Sequence, residues 1–127
     1  MIRWVLDASA VLAFLRGEAG ADVVDEAISS SIVSAVNASE VMAKLIALGA
    51  SPEIATQTIA QLACAIVDVD AALGLWAGAL YAATRHRGLS LGDRICLALS
   101  EREGVPALTA DRAWAELAID IEVSLIR

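Results

Sequence analysis

The chain is expected to fold as an α/β domain with a short, mainly parallel sheet of four to five strands covered by helices. Three observations carry that expectation. Short apolar runs alternate along the chain with longer stretches of helical periodicity, the pattern of strands joined by helical crossovers. Hydrophobic residues make up 58% of the 127 residues while aromatics make up 4%, so the core must be built from Ala, Val, Leu and Ile packed on both faces of a sheet. Glycine, proline and small polar residues punctuate nearly every change of periodicity, which leaves no long linker, repeat or low-complexity segment. One domain spanning residues 1–127 is long enough to bury a core without disulfide staples.

Taken in order, Ile2 to Leu6 is an apolar run ending at Asp7 and reads as a strand buried on both faces. Ala8 to Leu15 reads as a helix stopped by Gly17. From Gly20 to Ser29 the apolar residues Val23, Val24, Ala27 and Ile28 form a helical stripe opposite Asp22, Asp25 and Glu26. Ser31 to Ser34 is a second short strand. Ala35 to Leu48 is helical, with Val41, Leu45 and Leu48 on one face and Gly49 as its stop. Ser51-Pro52-Glu53 is a helix start: a capping serine, a proline in the first turn and an acid near the positive end of the dipole. That helix is expected to run to about Cys64.

Ala65 to Val69 is a third strand, and Asp70 caps a long helix expected to continue to about His86, where Gly88 breaks it. Leu91 to Glu103 is the next helix, followed by Gly104-Val105-Pro106, a strand at Ala107 to Thr109, a short helix after Asp111 and a last strand from Ile121 to Leu125. The longest uncharged stretch, Ala71 to Thr84, is too short to cross a bilayer, and the start of the chain shows no signal peptide. No membrane association and a cytoplasmic location are expected. Cys64 and Cys96 lie in apolar surroundings without partners at metal-ligand spacing, so both read as buried structural thiols.

Four acids stand where one element hands over to the next: Asp7, Glu40, Asp93 and Asp111. In a parallel sheet, ligands collect beyond the carboxyl ends of the strands. Asp7 and Asp111 follow strands directly, and Glu40 and Asp93 are placed in the first turns of helices, where the dipole favours an anion. Carboxylates gathered in one crevice repel one another unless hard cations such as Mg²⁺ or Mn²⁺ neutralise them. The formal charge of −7 argues against a nucleic-acid binder, but two divalent ions would move that sum to about −3. The basic residues also cluster: Arg85, His86 and Arg87 precede Asp93 and Arg94, and Arg112 follows Asp111.

Leu6-Asp7-Ala8-Ser9, Glu40 early in its helix, Leu89-Ser90-Leu91-Gly92-Asp93 and Leu108-Thr109-Ala110-Asp111-Arg112-Ala113-Trp114 together resemble the PIN-domain ribonucleases, and more narrowly the VapC toxins of toxin–antitoxin modules. The resemblance runs over essentially the whole chain, in order. It implies a PIN-like three-layer α/β/α fold and an endoribonuclease dependent on one or two Mg²⁺ or Mn²⁺ ions. Asp7, Glu40, Asp93 and Asp111 would be its catalytic and metal-binding acids, with Ser9 and Thr109 as supporting hydroxyls. It further implies an RNA substrate, a VapB-like antitoxin and a homodimer. Arg94 and Arg112 adjoin the acids and read either as contacts to RNA phosphate or as ion-pair partners of the acids.

Each acid also has a plain structural reading. Asp7 and Asp111 suit helix caps, Asp93 suits a first-turn acid, and Asn37-Ala38-Ser39-Glu40 resembles a capping box. His86 reads as a surface or dipole-compensating residue at a helix end, Trp4 and Trp114 as core or site rim, and Trp76 as core or subunit interface. Two other functions compete. A Mg²⁺-dependent phosphohydrolase of small phosphate esters would call for Asp-x-Asp after the first strand, where this chain has Asp7-Ala8-Ser9, and its only lysine, Lys44, lies mid-helix. A non-catalytic PIN-like binding module is the other alternative, and the intact set of acids argues against it.

Overall fold

A computed structural model describes residues 1–127. Five strands form one sheet: β1 (Trp4–Leu6), β2 (Ser31–Ser34), β3 (Ala65–Val67), β4 (Ala107–Thr109) and β5 (Val123–Leu125). Their order is β3-β2-β1-β4-β5, and every pairing is parallel. The chain therefore builds outward from β1 through β2 to β3, then returns to the other side of β1 for β4 and β5. The order reverses between β1 and β4, which opens a crevice at their carboxyl ends.

Seven helices connect the strands: α1 (Ala8–Arg16), α2 (Ala21–Ala27), α3 (Ala35–Ala47), α4 (Pro52–Ala60), α5 (Ala71–Ala79), α6 (Tyr81–Thr84) and α7 (Leu91–Glu103). The two-residue alternation of the strands divides the core in two. Val5, Ile32 and Ala107 point to one face, where Leu73 and Ala77 of α5 and Ile95 to Leu99 of α7 cover them together with Trp114. Leu6, Val33 and Leu108 point to the other, against Ala10, Val11 and Ala13 of α1, Val24 and Ala27 of α2 and Val41 of α3. This is the three-layer α/β/α arrangement expected from the sequence.

The elements appear where expected, with ends that differ for identifiable reasons. β1, β3 and β5 are shorter than the apolar runs that contain them, because only residues in register with a neighbour join the ladder. α4 stops at Ala60 rather than near Cys64: the N–H of Leu62 bonds to Ile59 in a tightened turn, and the chain unwinds so that Ala65 can pair with Ile32. The long helix expected from Asp70 to His86 is broken. α5 ends at Ala79; the N–H of the capping residue Leu80 turns back to the Ala77 and Gly78 carbonyls, and the Arg94 guanidinium donates to the same Ala77 carbonyl at 3.2 Å. In α6 the Thr84 hydroxyl bonds the Leu80 carbonyl at 2.8 Å, a back-bond of the kind that bends helices, and a 3₁₀ turn over Arg85–Arg87 finishes the segment. No helix is long and apolar enough to cross a membrane.

One glycine is fixed by both conformation and space. Gly20, at the entry to α2, has φ +94°, and a Cβ there would stand 2.7 Å from the carbonyl oxygen of Ile126. Gly20→Ala combines left-handed strain with overpacking against the C-terminal segment, for an expected loss on the order of 3 kcal/mol. Urea unfolding of the variant measures it; a change below about 0.5 kcal/mol would show that the C-terminal residues yield freely.

Candidate active site

Asp7 lies at the end of β1, in the crevice between β1 and β4. It caps α1, accepting the Ala10 N–H on Oδ1 at 2.8 Å. Its side chain is buried, and the protein surrounds it with donors. The Thr109 hydroxyl at the end of β4 donates to Oδ2 at 2.6 Å, and the Ser9 hydroxyl lies 2.7 and 2.9 Å from the two carboxylate oxygens. Both hydroxyls are themselves fixed. Ser9 accepts the Ala110 N–H at 2.9 Å, and Thr109 accepts the Asp111 N–H at 3.0 Å. The loop after β4 is thereby tied to the acid after β1. Burial is the main influence on Asp7 and raises its pKa to about 6; the bonds from Thr109, Ala10 and Ser9 oppose it, and the neighbouring Asp93 charge adds to it. Ser9 and Thr109 thus both bond the Asp7 carboxylate directly.

Glu40 stands in the second turn of α3, not the first as expected. The first turn belongs to Ser34, the residue that ends β2 and caps the helix by accepting the Asn37 N–H at 3.0 Å. The Asn37–Glu40 segment is therefore not a capping box. The helix dipole cannot account for Glu40 one turn further in; a side chain holds it instead. The Asn37 amide donates to Glu40 Oε1 at 2.8 Å. Burial raises the Glu40 pKa, the Asn37 bond opposes this, and the Asp93 charge adds to it.

Asp93 occupies the third position of α7 and closes a capping box with Ser90: its Oδ2 accepts the Ser90 N–H at 2.9 Å, and its own N–H donates to the Ser90 hydroxyl at 3.2 Å. Burial raises its pKa and the Asp111 charge adds to this, whereas the Ser90 bonds and the Arg94 charge lower it. Asp111 is exposed and caps the 3₁₀ turn Arg112–Glu116, accepting the Ala113 N–H on Oδ1 at 3.0 Å. The structural and functional readings of these acids are therefore compatible. Glu40, Asp93 and Asp111 each give one oxygen to a local bond and keep the other free.

The mutual influence of the charges records their proximity: Asp7 with Asp93, Glu40 with Asp93, and Asp93 with Asp111. Asp93 is the hub. As the side chains stand, no three of these acids approach closely enough to grip a single ion. The donor chemistry nevertheless fits a hard divalent cation: the groups are carboxylate oxygens, and burial together with mutual repulsion makes them seek a counter-charge. Cys96, one turn beyond Asp93, lies fully buried beneath them. Burial and the charges of Asp7, Asp93 and Glu40 push its thiol well above the ordinary range, which keeps it a neutral floor. Both cysteines are free; Cys96 is buried as expected, whereas Cys64, in the turn after α4, is only half-buried.

The two arginines beside the acids differ. Arg94 is half-buried, its guanidinium bonded to the Ala77 carbonyl and 5.5 Å from the Tyr81 ring centre, so it is committed to the fold on the α5–α7 side. Arg112 is exposed and forms no ion pair. Sequence reasoning missed Asn37 and Gly92. The signal for Asn37 was a polar side chain one helical turn before Glu40 on a face that had to be buried.

A PIN-domain family model matches residues 4–120. The chain belongs to the PIN-domain family. Solved structures resemble this PIN domain over nearly its whole length. A DNA-bound VapBC from Salmonella typhimurium is 15% identical, with TM-score 0.72 and 100% of both chains covered. A toxin–antitoxin complex from Klebsiella pneumoniae is 19% identical, with TM-score 0.73 and 97% of both chains covered. VapC20 of Mycobacterium tuberculosis, a toxin that cleaves the sarcin–ricin loop, is 16% identical, with TM-score 0.72, covering 94% of this chain and 98% of the other. These likenesses establish the shared fold. No curated protein sequence matches the chain.

Proposed function

We propose that this PIN domain, acting as one domain over residues 1–127, is a metal-dependent endoribonuclease and the VapC-like toxin of a toxin–antitoxin pair. The observation that carries the reading is Asp7, an acid buried at the β1–β4 switch point and held by two hydroxyls, with Asp93 beside it and Glu40 and Asp111 flanking Asp93. Burying a carboxylate among others is costly, and a fold that keeps such a group has a use for its charge. Asp7, Glu40, Asp93 and Asp111 would hold Mg²⁺ or Mn²⁺, one ion or two. The chemistry an ion supplies there is activation of a water and neutralisation of phosphodiester charge.

The chain's own residues divide the remaining work. Thr109 and Ser9 fix the Asp7 carboxylate in one orientation. Ser90 and Asn37 hold one oxygen of Asp93 and Glu40 respectively, leaving the second without a hydrogen bond. Arg112, beside Asp111, supplies an exposed cation for RNA phosphate, and Arg94 tempers the repulsion at Asp93 from behind. The largest cavity, about 410 Å³, is an apolar groove between α3, α4 and β3, and no acid of the quartet lines any cavity. An open acidic crevice suits a polymer laid across it better than a small ester enclosed by it.

That apolar groove, with Ile54 and Ile66 exposed nearby, and the exposed Leu75, Trp76 and Tyr81 of α5 and α6 give two patches for protein partners. They support the expected VapB-like antitoxin and homodimer, which on this reading would act in the cytoplasm. The test is cleavage of total RNA and transfer RNA by purified, antitoxin-free protein in Mg²⁺, Mn²⁺ or EDTA. Discrete products that require the metal are expected. Folded protein that binds the ion yet leaves every RNA intact would overturn the nuclease reading.

A further inference from the structure

Asn37 is fully buried and uses its whole amide. Its Oδ1 accepts the Ser34 hydroxyl at 2.8 Å, and its two amide hydrogens reach Glu40 Oε1 at 2.8 Å and the Gly92 carbonyl at 3.1 Å. The orientation is forced: turning the amide over would set its oxygen against a carboxylate and a carbonyl, two acceptors with no hydrogen between them. The bond to Gly92 joins α3 to α7 immediately beside Asp93, whereas the bond to Glu40 lies within α3. One side chain therefore sets both the direction of one acid and its separation from the next.

Gly92 completes the arrangement from the α7 side. It is buried at the second position of that helix, and a Cβ there would have three atoms of the Glu40 carboxylate group as its nearest neighbours, with Cδ at 2.6 Å. No unusual backbone angle demands glycine here. The demand is space, and the group that needs the space is a candidate metal ligand.

We propose that Asn37 and Gly92 form a clamp that seats the Glu40 carboxylate against the start of α7, at a fixed distance from Asp93, so that the two acids address one cation. Asn37 is a positioning residue: it touches neither the cation nor the RNA and acts through Glu40. The inference rests on the metal-site reading above. It does not require that the substrate be RNA.

The clamp is tested by Mn²⁺ binding to the free protein, followed through the electron paramagnetic resonance of unbound Mn²⁺, for the wild type, Asn37→Ala, Asn37→Asp and Gly92→Ala. Thermal unfolding without metal is measured alongside. Asn37→Ala is expected to weaken Mn²⁺ binding about 10- to 100-fold, the usual effect of losing a group that orients a metal ligand. Asn37→Asp should weaken it at least as much, because the new carboxylate repels Glu40 and cannot donate.

Both of these variants also disturb a buried hydrogen-bond set, so Gly92→Ala is the decisive one. Alanine leaves the Asn37 side chain in place and favours the helix, which offsets the Asn37–Glu40 bond lost when the Glu40 carboxylate is displaced, so the melting midpoint should stay close to that of the wild type while Mn²⁺ affinity drops about tenfold. Gly92→Ala and Asn37→Ala binding Mn²⁺ as tightly as the wild type would overturn the clamp. A wild type that binds no Mn²⁺ would overturn the metal site and the clamp with it. A wild type that binds Mn²⁺ but cuts no RNA, with both variants binding weakly, would uphold the clamp while the nuclease reading fails.

Discussion

Replacing Asp7 with asparagine is expected to abolish RNA cleavage while making the metal-free protein harder to unfold at pH 7.5. Both effects come from the same charge. The Asp7 pKa is raised from 3.8 to about 6, so at neutral pH the native state carries a carboxylate that its surroundings would rather protonate. That shift corresponds to about 3 kcal/mol of stability forgone above pH 6. Asparagine removes the charge and retains an oxygen for the Ala10 N–H, but it turns a donor toward the Thr109 hydroxyl, at a cost on the order of 1 kcal/mol. The net gain is about 2 kcal/mol, readable by urea unfolding in EDTA. Activity should fall at least about a thousandfold, the equivalent of several kcal/mol of lost charge stabilisation at a metal centre. An asparagine variant less stable than the wild type would show that the hydrogen bonds outweigh the burial of the charge.

Without metal, the wild type should lose stability as pH rises from 4 to 6, and a divalent cation should restore it. The direction follows from the raised pKa of Asp7. Between the unfolded value near 3.8 and the folded value near 6, the native state keeps a proton that the unfolded chain has released, so unfolding becomes easier with each step in pH. The stabilisation is fully present below the lower value and gone above the upper one. Glu40 and Asp93, also raised, push the same way.

Mn²⁺ binds the deprotonated acids of the native state. At a hundred times its Kd it would contribute about 2.7 kcal/mol, close to what the Asp7 charge costs. For a chain of this size that is a rise in melting midpoint of about 10 °C at pH 7.5. Melting curves between pH 4.5 and 7.5, with EDTA or Mn²⁺, measure both effects. A midpoint indifferent to Mn²⁺ at pH 7.5 would count against the metal site.

Most of the fold was legible because it depends on short-range rules. Ser51-Pro52-Glu53 starts α4 as expected, with the Ser51 hydroxyl accepting the Ile54 N–H. Gly17 and Gly104 end α1 and α7 in left-handed conformations. The segment from Asp70 to His86 was not legible as two helices, because the group that competes for the Ala77 carbonyl is Arg94, a residue from another helix. The placement of Glu40 also erred. The helix start at Ala35 was legible, but counted from there Glu40 is the sixth residue and lies in the second turn, where the buried Asn37 rather than the helix end holds it.

The sequence by itself determined the alternation of strands and helices, the oxygen-rich set Asp7, Glu40, Asp93 and Asp111, and the positions of Asp7, Asp93 and Asp111 at element ends, since periodicity and capping are written in neighbouring residues. Tertiary structure alone decided what those acids meet. Only the pairing of β1 with β4 puts Thr109 on Asp7, 102 residues away. Only the packing of α3 on α7 gives Glu40 its seat beside Gly92, and only the packing of α5 on α7 turns Arg94 inward to the Ala77 carbonyl. Side-chain chemistry is local, but desolvation and hydrogen-bond partnership are properties of the packed chain, and they decide which acids carry strained charge.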